Sequence, residues 1–96
     1  MTAVPEHTLI YYYVPEDRDD LAVPNAYLVR KPLAEVTLET IEETFPMAGS
    51  YTFRFKYSHG GNKVWLDLVK KSVPVPKYDN KIIMKVTRNV AKDQLA

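Results

Sequence analysis

The stretch from residue 51 to residue 69, YTFRFKYSHGGNKVWLDLV, constrains the fold more than any other part of the chain. In its first half, aromatic residues alternate with Thr52, Arg54 and Lys56, and this period of two is typical of a strand with two unlike faces. Residues 58–62 break the run, and the glycines there allow the positive φ values that a tight hairpin needs. The stretch therefore predicts two antiparallel strands joined by a short turn.

The return strand of this hairpin also has two unlike faces. Its apolar face is most simply part of the core and consists of Val64, Leu66 and Leu68. Its other face carries Lys63, Trp65 and Asp67. Because Trp65 is the only tryptophan and stands among charged residues, the pattern predicts either a lid over the sheet or a contact for a partner.

Two strands and one helix precede the hairpin. Residues 8–14, TLIYYYV, are rich in β-branched and aromatic residues and predict strand 1, and residues 25–31 predict strand 2 after an acidic loop. Residues 36–45 predict the only helix, with Thr37 as its N-cap and Pro46 at its end. The apolar face of this helix would consist of Leu38, Ile41 and Phe45.

One strand follows the hairpin. Residues 70–77, KKSVPVPK, predict an extended connection outside the sheet ladder, because two prolines stand at alternate positions. Residues 80–87 predict strand 5, and residues 1–7 and 88–96 are predicted to be frayed ends. The inward face of strand 5 would carry Ile82, Met84 and Val86.

The order β-β-α-β-β-β predicts an α+β fold, a ubiquitin-like β-grasp roll with one main helix over a five-stranded mixed sheet. That fold has the strand order 2-1-5-3-4, which leaves strands 2 and 4 as free edges. The 96 residues predict a single domain with its core within residues 8–88, since the chain is too short for a second core.

Composition narrows the compartment and the class of site. The chain has no cysteine, which excludes a disulfide framework and a thiolate zinc site. Its longest apolar run, residues 9–14, is too short to span a bilayer, and the first residues lack the features of a signal peptide. We therefore expect a cytoplasmic protein without membrane insertion.

No pattern in the chain predicts catalysis, a cofactor site or a metal site. His7 and His59 fall in predicted loops without a neighbouring ligand or nucleophile. The pair Gly60 and Gly61 joins two strands and precedes no helix, so it predicts a hairpin rather than a phosphate loop. The aromatic-basic strand 51–57 is similar to the stacking strand of an RNA-recognition module, but that module needs two helices. We therefore predict neither an enzyme nor a nucleic-acid-binding protein.

Charge is divided between the two halves of the chain. Residues 1–48 carry nine acids and three bases, a sum of −6, and residues 49–96 carry ten bases and three acids, a sum of +7. Such asymmetry indicates electrostatic partnering, either with an acidic partner or between two copies of the chain.

The ordered motifs resemble the DIX domain, the self-associating module of Dishevelled and Axin. The resemblance runs from residue 9 to residue 88 and is most specific in its helix, its YTFRFKY strand and its ending. The motifs, in order, are LIYYYVPED, AYLVR, VTLETIEETF, GSYTFRFKY, KVWLDLV and PKYDNKIIMKV. The ending is closer to Axin than to Dishevelled. The chain departs from the family in a longer loop at 15–24, in Leu68 in place of an acid, and in the proline-rich segment 73–76.

The resemblance implies a non-enzymatic scaffold that forms dynamic head-to-tail polymers in Wnt/β-catenin signalling, with strand 2 of one copy on strand 4 of the next. Its partners would be itself and other DIX-domain proteins such as Dishevelled or Axin. The implied strand-2 surface is Tyr27, Leu28 and Val29. The implied strand-4 surface is Lys63, Trp65, Leu66 and Asp67. Electrostatic steering would come from Asp17, Asp19, Asp20, Lys70 and Lys71.

Two physical arguments bear on this mode of association. Two unlike free edges make a heterologous contact, which does not close and therefore generates a filament. Opposite charges beside the two edges would steer one edge toward the other. The alternative is a monomeric β-grasp adaptor, PB1-like or Ras-association-like, that binds a single protein partner.

Overall fold

The computed structural model describes residues 7–20 and 22–89, which form one five-stranded sheet, one α-helix and two short 3-10 helices. The strands are β1 (Thr8–Tyr13), β2 (Asn25–Val29), β3 (Tyr51–His59), β4 (Asn62–Leu66) and β5 (Ile82–Arg88), and the helix is α1 (Leu38–Thr44). The 3-10 helices are Pro15–Asp17 and Leu33–Glu35. The predicted α+β architecture is confirmed. Of the segments predicted to be frayed, the structure describes His7, Arg88 and Asn89. The prediction is wrong at the last two, because Arg88 pairs with Tyr51 and the N–H of Asn89 donates to the carbonyl of Ser50 at 2.9 Å.

The sheet has the order β2-β1-β5-β3-β4, as the β-grasp fold predicts. The central pair β1 and β5 is parallel, with Ile10 opposite Ile82, and the other three pairs are antiparallel. A parallel pair cannot be joined by a tight turn. The chain therefore passes through α1 and the β3–β4 hairpin before it returns to the middle of the sheet. This path leaves β2 and β4 as the two edges.

The core lies between α1 and one face of the sheet. The inward residues of β5 are buried completely, as predicted, and they face the buried side chains of β1, β3 and α1. The fully buried side chains are Ile10, Val14, Val36, Ile41, Phe55, Val75, Ile82, Met84 and Val86. We call the opposite side of the sheet the outer face. It carries Leu9, Tyr11 and Tyr13 of β1, Arg54 and Lys56 of β3, Lys63 and Trp65 of β4, and Ile83 and Lys85 of β5.

Helix α1 begins at the predicted cap. The side-chain oxygen of Thr37 accepts a hydrogen bond from the backbone N–H of Thr40 at 3.3 Å, which satisfies one of the free donors of the first turn. The helix starts two residues later than predicted, because Val36 is extended and its carbonyl accepts from the N–H of Val75 at 2.9 Å. Leu38 and Ile41 are buried against the sheet.

The connection between β4 and β5 contributes to the core, which the sequence reading missed. Val75 is buried, with 1% of its surface exposed, and Pro74 forms an isolated β-bridge with Thr37. The prediction that this segment stands outside the ladder is therefore only partly correct. The alternation of valine and proline does not separate the two valines, since residues two apart in an extended segment share a face, yet Val73 is exposed and Val75 is buried.

The β3–β4 hairpin is tighter and longer than predicted. Its turn consists of Gly60 and Gly61 alone, with φ values of +56° and +82°, and both strands continue up to it. Two consecutive positive φ values match the twist of the strands, and glycine adopts them without steric cost. The prediction that Val64 belongs to the core is wrong. Val64 is 37% exposed opposite the exposed Tyr57, because the end of the hairpin extends past the core.

Candidate interaction surfaces

The β2 edge presents three side chains in three different environments. Leu28 lies on the outer face, 60% exposed, opposite Leu9 of β1. Tyr27 points to the helix side and is half-buried, and Val29 is buried in the core. Of the residues predicted for this surface, Leu28 is therefore the one whose side chain is free to meet a partner. The side chain of Val29 is committed to the core, so only its main chain is available.

Tyr27 is held by an aromatic cluster within the domain. Its ring packs edge-on against the rings of Tyr12 and Phe45, with both centroid distances at 5.9 Å. Its hydroxyl lies 3.4 Å from the hydroxyl of Thr44 on α1. Burial raises the pKa of Tyr27, so the phenol stays neutral under ordinary conditions. A charge introduced at this position would disturb the fold as well as the edge.

The side chain of Trp65, on the edge strand β4, extends over the outer face toward β5 and β1. The ring centroid of Trp65 lies 5.7 Å from that of Tyr13, and the Nζ of Lys85 lies 5.2 Å from the Trp65 centroid. Trp65 is thus half-buried over its own sheet, as the lid alternative predicted. Leu66 is half-buried and pairs with Phe55.

Asp67 follows the last residue of β4 and is occupied by an ion pair. Its Oδ1 lies 2.9 Å from the Nε of Arg54, and both side chains are substantially exposed. Exposed ion pairs contribute little to stability. The pair nevertheless neutralises the carboxylate of Asp67, and Lys63 is the charged residue of β4 itself.

The acidic loop after β1 is tied to the end of β5. Asp17 accepts two hydrogen bonds from the guanidinium of Arg88, at 2.6 and 2.7 Å, and Glu16 accepts from the backbone N–H of Arg88 at 2.7 Å. The guanidinium lowers the pKa of Asp17, and the carboxylate raises the pKa of Arg88 in turn. A bidentate pair of this kind fixes geometry as well as charge.

The other two acids of the predicted steering group differ in role. One oxygen of Asp19 accepts from the N–H of Val14 at 3.0 Å and from the side-chain amide of Asn25 at 2.7 Å, so it joins the end of β1 to the start of β2. Asp20 is exposed, and among the described residues its carboxylate accepts one hydrogen bond, from the N–H of Ala22 at 2.9 Å. Asp20 therefore carries the freest charge beside the β2 edge.

The two predicted basic residues lie just beyond β4. Lys71 pairs with Glu42 of α1 at 3.2 Å, and its carbonyl accepts from the N–H of Glu39 at 3.2 Å. Lys70 is exposed. In both predicted steering groups, a member is therefore already paired within the chain: Asp17 with Arg88, and Lys71 with Glu42.

A cavity of about 670 Å³ opens beside the start of β1, and no sequence pattern predicted it. It is lined by apolar groups of Leu9, Tyr11 and Leu33, with Lys77 and Lys81 at its margin. Within residues 7–20 and 22–89, no group of three or more potential metal ligands comes together. None of the described helices is long and apolar enough to cross a membrane.

Comparison with known proteins identifies one family. A family model described as the DIX domain matches residues 7–86. This range includes α1 and all five strands, apart from the last two residues of β5. A search of curated proteins found no match.

Proposed function

The chain belongs to the DIX domain family, whose members are protein-interaction domains rather than enzymes, and from this premise we propose that it self-associates head to tail through the edges β2 and β4. The observation that carries the proposal is the presence of two unlike free edges at opposite ends of one sheet. An edge strand directs backbone N–H and C=O groups outward, and a second chain can satisfy them. Because the two edges differ, each contact leaves one edge of each kind free, and growth continues.

Side chains at both edges are suited to the contact. Leu28 supplies an exposed apolar side chain at β2, and the exposed Val64 and the half-buried Trp65 supply apolar surface at β4. Tyr27 contributes through its ring edge, and Val29 through its main chain. Lys63, Leu66 and Asp67 complete the proposed β4 surface. Burial of these apolar groups would supply affinity, and the main-chain hydrogen bonds would set the register.

Electrostatics would orient the encounter rather than hold the joint. Asp20 and Asp19 carry negative charge beside β2, and Lys63 and Lys70 carry positive charge beside β4. Unlike charges at the two ends favour head-to-tail over head-to-head approach. Asp17 and Lys71 contribute less, because Arg88 and Glu42 already neutralise them.

The finer biological role rests on the family. We propose that the chain is a cytoplasmic scaffold domain of Wnt/β-catenin signalling, which concentrates weak partner sites through dynamic polymers. Its further partners would be other DIX-domain proteins such as Dishevelled or Axin, which would join the polymer through the same two edges. Multivalent display of this kind raises avidity without any new contact.

Two complementary edge substitutions test the proposal. Leu28→Asp places a charge on the β2 edge, and Val64→Asp places one on the β4 edge, and a charge on an edge strand opposes pairing. Each variant retains one intact edge. Sedimentation is expected to show polymers for the unsubstituted chain, single chains for each variant, and a species of twice the 11.0 kDa chain mass for their equimolar mixture.

The matched control is Val73→Asp, which introduces the same change at a residue that is 40% exposed and lies on neither edge. This variant should polymerise like the unsubstituted chain. An unsubstituted chain that stays at the mass of one chain at the highest soluble concentration would contradict the proposal and favour a monomeric adaptor. A mixture of the two edge variants that gives no dimer would contradict the head-to-tail geometry.

A further inference from the structure

The outer face combines positive charge with uncovered apolar surface. Five cationic side chains lie on or beside it. Near them, Asp67 is paired with Arg54, and Asp79 is exposed in the turn that precedes Lys81. The cationic residues are Arg54, Lys56, Lys63, Lys81 and Lys85. The four lysines form no ion pair with any residue in the described ranges. Their charge is therefore available to an outside partner.

Apolar side chains run between these charges. Leu9 and Leu28 lie directly opposite each other on β1 and β2, and they are 44% and 60% exposed. Tyr11 and Ile83 continue the surface toward the middle of the sheet and line a shallow hollow with Lys56 and Lys81. Helix α1 packs on the other face. On this face Pro24 lines the hollow and Tyr78 lies beside Lys56, but Leu9 and Leu28 remain exposed. An apolar centre with a charged margin is the usual anatomy of a protein interface.

Ammonium groups of lysines lie over aromatic rings on this face. The Nζ of Lys56 lies 4.4 Å from the centroid of the Tyr78 ring, and the Nζ of Lys81 lies 5.9 Å from that of Tyr11. The Nζ of Lys85 lies over Trp65, whose ring also packs on Tyr13. Single-stranded nucleic acid needs open ring faces for its bases to stack. Here an ammonium group or a second ring stands over one face of each of these rings, and the aliphatic side chains of Leu9 and Leu28 are exposed.

We propose that the outer face binds an acidic amphipathic segment of another protein. The apolar side chains of the segment would pack on Leu9, Leu28 and Ile83, and its carboxylates would pair with Lys56, Lys81 and Lys85. Leu28 belongs to the β2 edge and is shared with the proposed self-association, whereas Leu9, Ile83 and the three lysines lie on or beside the inner strands β1, β3 and β5. Apart from Leu28, this binding is therefore distinct from the proposed self-association, and it would recruit a partner onto each copy.

Three synthetic peptides test this inference with the full 96-residue chain. The probe is a helical peptide of about 18 residues, some five turns, with leucine on one face and glutamate on the other. One comparator replaces each glutamate with lysine, and the second replaces each leucine with serine. Trp65 is the only tryptophan and lies on the outer face, so its fluorescence reports binding. The probe is expected to bind at least about tenfold more tightly than either comparator.

Charge reversal on the outer face provides the matched variants. Lys56→Glu combined with Lys85→Glu should weaken binding of the probe by at least about tenfold, and Lys31→Glu, at an exposed residue after β2, should leave it within about twofold. Circular dichroism checks that each variant is folded. Val64→Asp should bind the probe normally, which separates this inference from the proposed self-association.

Two results would overturn the inference. One is equal binding of the probe and its comparators. The other is tighter binding, at the same salt concentration, of an oligouridine strand or of phosphatidylserine vesicles, together with loss of that binding in the Lys56→Glu and Lys85→Glu variant. The second result would identify the face as a site for polyanions or for acidic membranes.

Discussion

At the scale of the residue, the role of a side chain depends on the contacts that it makes in the folded chain. Trp65 closes over Tyr13 and beneath the ammonium group of Lys85, so its first role is to cover its own sheet. Asp17 and Asp20 stand three positions apart, but only Asp17 meets a guanidinium. The Asp17–Arg88 pair fastens the loop after β1 to the last residue of β5. Its effect should therefore appear in the stability of the domain.

Substitution of Asp17 by asparagine should change how stability depends on pH. Arg88 lowers the pKa of Asp17 below its ordinary value of 3.8, so the folded state favours the charged carboxylate. A lowered pKa contributes stability that is present above the ordinary pKa and is lost as pH falls through the lower, folded value. Asp17→Asn should lower the free energy of unfolding near neutral pH and flatten its decline between about pH 5 and pH 2.

Urea denaturation across that pH range measures both effects. Asp20→Asn is the control, because the carboxylate of Asp20 accepts only a local backbone hydrogen bond. This control should retain the acid dependence of the unsubstituted chain. If Asp17→Asn retains it as well, the pair with Arg88 does not stabilise the domain in solution.

At the scale of the element, the connection between β4 and β5 packs against the core and the start of α1, although its proline content argues against a strand. Proline cannot donate to a ladder, which argues against a strand. However, Pro74 bridges Thr37, and the N–H of Val75 donates to the carbonyl of Val36 at 2.9 Å. This short contact directs Val75 into the core and holds the segment against the start of α1. The connection thus helps to hold the helix on the sheet.

Truncation of the two neighbouring valines should have unequal effects. Val75 is 1% exposed, and Val75→Ala removes two buried methyl groups, so the free energy of unfolding should fall by about 2 kcal/mol. Val73 is 40% exposed, and Val73→Ala should change stability by less than about 0.5 kcal/mol. Chemical denaturation of the two variants measures the difference. Equal losses would mean that the segment does not dock as described.

At the scale of the whole molecule, the charges form two separate patterns. One runs along the sheet, with the acidic loop beside β2 and basic residues beside β4. The other runs through the layers, since α1 carries the exposed Glu39, Glu42 and Glu43 and the outer face carries the lysines. The first pattern suits steering between copies, and the second suits a partner on the outer face. Ionic strength should weaken both interactions. Its effect on the first would appear in self-association, and its effect on the second in binding of the acidic peptide.

Salt should weaken self-association through the charges that remain unpaired. From about 0.01 M to about 1 M salt, the Debye length shrinks from about 30 Å to about 3 Å. Light scattering over this range should show shorter polymers as salt increases. Lys70→Gln should reduce the salt dependence, whereas Lys71→Gln should reduce it less, because Glu42 already pairs with Lys71. If both substitutions leave the salt dependence of polymer length unchanged, the effect comes from other charges.

Local patterns were sufficient for the elements of this fold. The alternation in β3 and β5, the Thr37 cap and the glycine turn depend on residues that are close in the chain, so each could be recognised in the sequence. The sheet order came from the fold that the element order resembles, and the structure confirms it. The same reasoning placed Val64 in the core, because alternation assigns a face to a residue without showing how far the core extends.

By itself, the sequence determined the strands, the helix and the division of charge between the halves of the chain. Only the tertiary structure decided which charges are free, which face is open, and where the aromatic rings lie. Asp17 and Arg88 are 71 residues apart in the chain, and Tyr13 meets Trp65 across two intervening strands. Such contacts depend on register and on side-chain reach across the sheet, and periodicity within one segment carries no information about either.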